Sequence, residues 1–457
     1  MGRDGRHPGA DPLREAGGRR PSRRPLRPPR EPRLNGFRPF ARGRRAVSRA
    51  DPDDIAVLVR ARAAVTVAFV AHGLLVAAWV VRIPQIKEHL GLGDGAMGVA
   101  LLGAPVGIVV AVRFAGRIVA RWGSRATTIA AGISAALSLV PIGVAGNIGA
   151  LIAALLMFGA SMGLMDVAMN AQGVAVERGY GRPLMSGLHG WYSVGTLVAA
   201  LVGSGAAHAE VPVPLHLAAA AVVLGALVVF GCRGLLDRRA DDLPDVDPGP
   251  GDGTTPDEER RASAPGARWL LALLGFIGLC SFVGEGAVGD WSAVYLREDL
   301  GAGPGFAGLG YAGCAVAMTA GRFGGDRVVA WAGPVPVLRW GSLIAALGLG
   351  AGLVAGHPAA AVAGFTVFGL GVAVVAPVTF SAAGNVPGVP AAAGISRVTG
   401  VGYLGLLGGP PVIGFVAQGV GLGWALAVPV VLVGIIAALA PAAAPAAAPA
   451  DGPAAAN

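Results

Sequence analysis

The chain alternates between long apolar runs and short polar connections. Twelve runs stand out, at about 61–81, 95–115, 126–145, 148–170, 185–206, 214–232, 269–290, 305–321, 334–355, 358–382, 395–417 and 421–440. A helix of roughly 20 residues, and at least about 17, crosses a bilayer core of about 30 Å. The runs are continuously apolar rather than alternating, so they predict helices and not the strands of a membrane barrel. The expectation is an all-α polytopic membrane protein with 12 transmembrane helices.

Composition agrees: 54% of residues are hydrophobic and 14% charged, against about 25% charged in soluble domains. The formal charge of +9 would suit a nucleic-acid partner if it were spread over the chain. It is not. Residues 1–50 hold 15 Arg and 4 acids, which leaves 21 basic against 23 acidic residues for the rest. The lipid bilayer, and no nucleic acid, is the partner expected. When the first helix enters from the cytoplasm, sixteen Lys and Arg beyond residue 62 fall on that side and three, Arg82, Lys87 and Arg297, on the other. The positive-inside bias then predicts a multi-pass protein of the cell membrane with both termini cytoplasmic.

Three segments lie outside the runs. Residues 1–60 are rich in Arg and Pro and read as a disordered cytoplasmic tail, or as a polybasic arm for anionic headgroups. Residues 233–268 carry 9 acids and 6 arginines and read as a disordered cytoplasmic central loop. It separates a six-helix bundle at 61–232 from a second at 269–440, and residues 441–457 are a disordered Ala/Pro tail.

The two bundles repeat one another. Under a shift of 210 residues, Lys87-Glu88-His89-Leu90-Gly91 falls on Arg297-Glu298-Asp299-Leu300-Gly301, Phe158-Gly159 on Phe368-Gly369, and Gly190 and Gly195 on Gly400 and Gly405. Between the second and third helices a one-residue adjustment matches Arg113-Phe114-Ala115-Gly116 to Arg322-Phe323-Gly324-Gly325. Six helices per half make this a parallel repeat about an axis along the membrane normal, with a substrate site expected between the halves near the midplane.

At this point the sequence resembles the major facilitator superfamily. The family's loop pattern, roughly Gly-x-x-x-Asp-Arg-x-Gly-x-Arg/Lys, is met by Gly116, Arg121, Gly123 and Arg125, although Ala120 stands at the Asp position. The second copy has Gly321, Asp326 and Arg327, with one extra residue between Gly and Asp. Arg82-Ile83-Pro84, Asp166-Val167-Ala168-Met169-Asn170, Leu188-His189-Gly190 and Gly289-Asp290-Trp291 resemble the YbjJ-like branch of bacterial inner-membrane permeases. The resemblance spans about residues 61–440. It implies a secondary transporter working by alternating access, with helices 1, 2, 4, 5, 7, 8, 10 and 11 around a central cavity.

An ionisable side chain in a bilayer is costly and is a functional candidate by default. His72 lies in the first run, Asp166 and Asn170 one turn apart in the fourth, and His189 and Ser193 in the fifth. Glu285 and Asp290 lie in the seventh, and Thr399 and Tyr403 in the eleventh. Asp166 and His189, at similar depth, suggest an ion pair closing the inner mouth or a substrate contact. Glu285 has no cation near it in sequence, which suggests proton coupling or substrate binding. Asp290, beside Trp291, suggests an outer gate or an interfacial anchor. Most tryptophans, Trp79, Trp122, Trp191, Trp269, Trp291, Trp340 and Trp424, fall near helix ends and predict an aromatic belt.

The remaining chemistry narrows the function. Cys232, Cys280 and Cys314 are scattered, so neither a disulfide nor a metal site is expected. No Walker loop supports an ATP-driven pump, no enzyme site converges by spacing, and no cofactor is expected. No Lys or Arg lies in the middle of a predicted cavity helix, which argues against strongly anionic substrates. The reading is a monomeric permease for a small neutral or weakly cationic, sugar-like solute, coupled to a proton. Two alternatives are proton-antiport efflux of amphipathic drugs and a non-transporting scaffold or sensor on the same fold.

Overall fold

A computed structural model of the chain describes residues 52–92, 94–238 and 256–444. All its long elements are helices. In chain order they are α1 (Pro52–Val80), α2 (Asp94–Leu101 continued by Gly103–Trp122), α3 (Ser124–Gly143), α4 (Ile148–Tyr180), α5 (Met185–His208) and α6 (Val213–Gly231). After the central segment follow α7 (Pro256–Val294), α8 (Pro304–Ala307 continued by Leu309–Ala332), α9 (Pro334–Val354), α10 (Pro358–Val372 continued by Val375–Gly384), α11 (Ala391–Val420) and α12 (Leu422–Ala425 continued by Ala427–Leu439). A short helix, Ile83–His89, follows α1.

Ten helical spans among the described residues are long and apolar enough to cross a membrane. The other two, α5 and α8, have similar length but are more polar, because α5 carries His189 and Ser193 and α8 carries Arg322, Asp326 and Arg327. The outer surface needs lipid: Val222, Val316, Leu347, Val354 and Phe415 are 70–90% exposed, members of an apolar belt that no soluble monomer presents to water.

Two boundaries differ from the hydrophobic runs. The first helix starts at Pro52 rather than residue 61, and the seventh at Pro256 rather than 269. Both starts read Pro followed by acids, Pro52-Asp53-Asp54 and Pro256-Asp257-Glu258-Glu259. Proline is favoured in a first turn and acids complement the positive end of the helix dipole, so these are polar helical extensions that a count of apolar residues misses. The start of the central segment is also held: Gln172 of α4 donates to the Leu236 carbonyl (2.9 Å) and accepts from its N–H (2.9 Å). Arg125 bonds Asp237 and the Arg233 carbonyl, and Arg238 the Ala120 carbonyl. The expectation of a disordered loop therefore fails at both its ends. The remaining stretches of the predicted tails and loop, residues 1–51, 239–255 and 445–457, lie outside the described residues.

The repeat appears as matched backbone geometry. In the first half α1 packs on α5 and α2 on α4; in the second α7 packs on α11 and α8 on α10. Gly159 lets α4 approach α2 so closely that a Cβ there would lie 1.9 Å from the Ala104 carbonyl oxygen. Gly369, 210 residues on, does the same for α10 on α8, with 2.3 Å to the Cys314 oxygen. The α2–α3 and α8–α9 turns pass through Gly123 (φ 85°) and Gly333 (φ 84°), a conformation that favours glycine.

These pairs keep the 210 offset unbroken through α2 and α8, so the one-residue adjustment is wrong. Burial agrees: Val112 and Arg322 are both buried, whereas Arg113 and Phe323 are both exposed. Arg322 thus stands where the first half has a core valine.

Adding a methyl group at either close contact must push the paired helices apart. Gly159→Ala and Gly369→Ala are therefore each expected to destabilise the purified protein by about 1–3 kcal/mol, read as a lowered melting temperature. Gly434→Ala, where an added Cβ meets nothing within 4 Å, is expected to leave it unchanged.

Candidate functional site

One end of the bundle carries the α2–α3 and α8–α9 turns and most of the arginines. Here the two halves are latched together. Ser186, at the start of α5, donates to the Arg322 carbonyl of α8 (2.7 Å), and Ser396, its partner in the repeat, donates to the Val112 carbonyl of α2 (2.6 Å). Asp326 accepts the N–H groups of Ser186 (2.9 Å) and Gly187 (2.8 Å). These are among the orphan donors of the α5 N-terminus, where a carboxylate is electrostatically favoured. Arg178 of α4 bonds Asn385 through Nε (2.7 Å) and the Gly384 carbonyl through Nη2, and Ser381 of α10 bonds Glu177.

The loop motif divides between these roles. At the position of Asp326 the first half has Gly116, pressed against Ala393 of α11, where an added Cβ would lie 3.1 Å from the Ala393 Cα. Gly321 lies against Ala373 of α10, Gly123 makes the turn, and Arg125 holds the central segment. Arg121 and Arg327 are exposed.

Deeper in the bundle a polar cluster joins both halves. Arg322 of α8 is buried, 8% exposed. Its Nη1 donates to Ser193 Oγ of α5 (2.8 Å), and its Nη2 lies 3.8 Å from Glu285 Oε2 of α7. Ser281, one turn before Glu285, donates to its Oε1 (2.9 Å). Tyr403 of α11 packs its ring against Phe282 and lies within electrostatic reach of Asp166, Tyr192 and Glu285. Tyr311 of α8 is within reach of Glu285 and Arg322. One cation, two acids and two tyrosines from α4, α5, α7, α8 and α11 thus share the centre of the fold, with the exposed Tyr311 at its edge.

The other candidates surround it. His72 of α1 pairs Nε2 with the Met162 carbonyl (3.3 Å) and packs against Tyr192. Asn170 donates to Asp166 Oδ1 (3.1 Å) and to the Asp166 carbonyl (2.8 Å). Several buried atoms have no protein hydrogen-bond partner: His72 Nδ1, Asp166 Oδ2, Asn170 Oδ1, Thr399 Oγ1 and Arg322 Nε. Buried polar atoms are normally satisfied, so these mark where a polar ligand or water would bond.

Three sequence expectations are corrected. Asp166 and His189 do not pair: His189 bonds the Met185 carbonyl through Nδ1 (2.9 Å), with its ring between Phe69 and Phe380, and Asp166 turns to Asn170. Glu285 is not isolated, because Arg322 and Ser281 face it. An arginine does lie in the middle of a cavity helix, since α8 runs on to Ala332 and takes in Arg322. The cavity is therefore not free of arginine, and anionic substrates are not excluded on that ground. Asp290 is exposed and lies within electrostatic reach of Tyr311, at the edge of the cluster. Trp79 is buried against Phe158 rather than in a belt, whereas Trp331 is 80% exposed. Tyr192, Tyr311 and Arg322 were not singled out by sequence. The signal that could have found Arg322 was the unbroken 210 register, which places it on Val112.

Comparison with known proteins accords with this architecture. The family model of the Major Facilitator Superfamily matches residues 17–178 and 65–393. An uncharacterised MFS-type transporter of Yersinia pestis is 39% identical over 355 residues, covering 77% of this chain and 87% of that protein. Among solved structures, the MFS transporter FucP in its outward conformation superposes with a TM-score of 0.68 at 17% identity, covering 84% of this chain and 98% of FucP. The proton:xylose symporter XylE, bound to 6-bromo-6-deoxy-D-glucose, gives 0.66 at 13% identity, covering 84% and 95%. With its two parallel six-helix repeats, this chain belongs to the major facilitator superfamily of membrane transporters.

Proposed function

We propose that the protein is a proton-coupled permease of the bacterial plasma membrane that carries a small, neutral, hydroxyl-rich solute by alternating access. The observation that carries this reading is the Arg322 bridge, from Ser193 in one half to Glu285 in the other. A guanidinium inside a bilayer stays charged, and at a helix centre it costs about 2.5–3.5 kcal/mol or more on insertion scales. Its partners therefore govern which arrangement of the halves is favoured. The tyrosines, Ser193, Asn170 and Thr399 supply donors and acceptors suited to hydroxyl groups. Arg322 faces Glu285, so the site does not leave an unmatched cation for an anionic solute. The likeness to XylE, a proton:xylose symporter, supports the solute class and the coupling ion.

The arginine-rich end is taken as cytoplasmic, with both termini on that side. Of the sixteen cytoplasmic Lys and Arg, Arg322 moves into the membrane, and fifteen against three still obey the positive-inside bias. The described state is then outward-facing, closed at the cytoplasm by Ser186, Ser396, Asp326 and Arg178. When the halves separate at that end, Ser193 leaves with the first half and frees the guanidinium for Glu285. An ionised Glu285 then holds Arg322 in its own half, which favours release of the proton to the cytoplasm. A proton on Glu285 favours the closed state in which Arg322 keeps Ser193. A ligand shifts such an equilibrium by its differential affinity for the two states, and here proton and solute would both prefer the outward-facing one.

A proteoliposome screen of monosaccharides, polyols, nucleosides and amphipathic cations tests the substrate class. Saturable counterflow of a polyol or sugar is the expected result, and transport confined to amphipathic cations would contradict it. With the substrate found, Glu285→Gln is expected to abolish accumulation driven by a pH gradient while keeping counterflow. Equal accumulation by wild type and Glu285→Gln would remove Glu285 from coupling. Asp326→Asn weakens a charged cap on α5, and charge-assisted hydrogen bonds contribute about 1.5–3 kcal/mol. It is expected to raise cysteine-reagent access to the cytoplasmic side of the cavity several-fold.

A further inference from the structure

At the cytoplasmic end, between α4 and α5 of one half and α7, α8, α10 and residues 442–444 of the other, lies a cavity of about 520 Å³. Its counterpart across the pseudo-twofold axis, between α2, α4 and α11, measures about 30 Å³. Seven of the nine residues lining the small side have their 210-shift partners in the lining of the large one. Gly116, Ala171, Ala175 and Ala392 on the small side answer to Asp326, Ser381, Asn385 and Arg182 on the large one. Closing the cytoplasmic end does not require the larger space, because the first copy closes without it. The larger cavity is an addition, polar at four positions where its counterpart carries Gly or Ala.

Most of those polar groups are spent within the protein. Asp326 caps α5, Ser381 bonds Glu177, and Asn385 accepts from Arg178. Arg182 is different: it is exposed at the mouth, stacks on Tyr180 at 5.6 Å and lies within electrostatic reach of Asp326, but makes no hydrogen bond or ion pair at contact distance among the described residues. Behind it the walls are apolar, with Met185, Leu270, Val329, Pro377 and Val378. A largely apolar cleft of a few hundred Å³ with few convergent polar groups is the usual form of a small-molecule site. The walls come from both halves and include Arg178, Ser381 and Asp326, whose bonds latch them.

From this geometry we infer that the cavity is a regulatory site for a small amphiphile with an apolar body and one anionic group, and that its occupant locks the cytoplasmic end shut. The apolar body fills the space beside Val378, and the anion meets Arg182. Separating the halves takes Arg182 and Met185 away from Val329 and Val378, so the occupant binds the closed state alone. A ligand at 100 times its dissociation constant then shifts the closed-to-open ratio about 100-fold. The inference rests on the cytoplasmic end being the closed one in this state. It does not depend on the solute or on proton coupling.

The test uses the full chain in lipid nanodiscs and reads binding rather than transport, so its failure is distinct from a failure of the permease reading. The probes are 4-phenylbutyrate and its uncharged amide, titrated by calorimetry with empty nanodiscs subtracted. Saturable binding of the carboxylate is expected, at least tenfold tighter than the amide. It should weaken at least fivefold in Arg182→Ala and vanish in Val378→Trp, whereas Leu137→Trp, on the lipid face, should leave it intact. Spin labels at Trp122→Cys and Trp331→Cys, on the exposed ends of α2 and α8, should show the short-distance population rising with the probe. Equal binding of the amide, full binding by Arg182→Ala, or label distances that stay fixed or widen on binding would overturn the inference. Should Val378→Trp fail to fold, the surface variant Arg182→Ala still decides the matter. Binding that appears only after removal of residues 445–457 would assign the cavity to the chain's own tail and would overturn it as well.

Discussion

A guanidinium inside the bilayer constrains everything around it. Lipid offers Arg322 no hydrogen-bond partner, so the helices must supply polar partners in each state the protein visits. In the described state those partners come from opposite halves, Ser193 and Glu285. The polarity that keeps α5 and α8 from qualifying as apolar spans follows from the same requirement. So does their position at the seam rather than on the lipid face: a helix carrying such a group has to turn it toward other helices.

The two halves show what a duplicated frame conserves and what it varies. Backbone contacts are kept nearly atom for atom, with Gly159 on Ala104 answered by Gly369 on Cys314, and Ser186 on Arg322 by Ser396 on Val112. Side chains that carry charge are not kept. Val112 becomes Arg322, Gly116 becomes Asp326 and Ala392 answers to Arg182. The frame lets the halves rock as near-equivalent bodies, and the differences give each side of the seam its own chemistry. A latch in which one copy is steric, Gly116 on Ala393, and the other electrostatic, Asp326 on the α5 N-terminus, is one product of that divergence.

Much of the fold was legible in the sequence because a bilayer imposes a strong, one-dimensional signal. Twelve helices and their pairing in a 210-residue repeat follow from apolar run length and from glycine spacing. Where the reading failed, the cause was local. Ending the eighth helix at the last apolar residue, 321, left Arg322 in a loop by a single position. The matching pair Arg113-Phe114 and Arg322-Phe323 then invited a shift that the backbone does not make. Depth along a helix also says nothing of direction around it, and so Asp166 and His189, level with one another, turn toward Asn170 and the Met185 carbonyl instead of pairing. Of the candidate site, residue types and helices were readable, but the bridge that joins Ser193, Arg322 and Glu285 required the register of one helix against another.

On this mechanism a proton on Glu285 decides how Arg322 divides itself between the halves. The most direct measurement is the spin-label distance across the arginine-rich end, between α2 and α8, as a function of pH in lipid nanodiscs without solute. The closed, short-distance population should grow as pH falls in the wild-type protein and should be high and independent of pH in Glu285→Gln. A distance distribution that ignores pH in the wild type, or one that keeps its pH dependence in Glu285→Gln, would contradict that role.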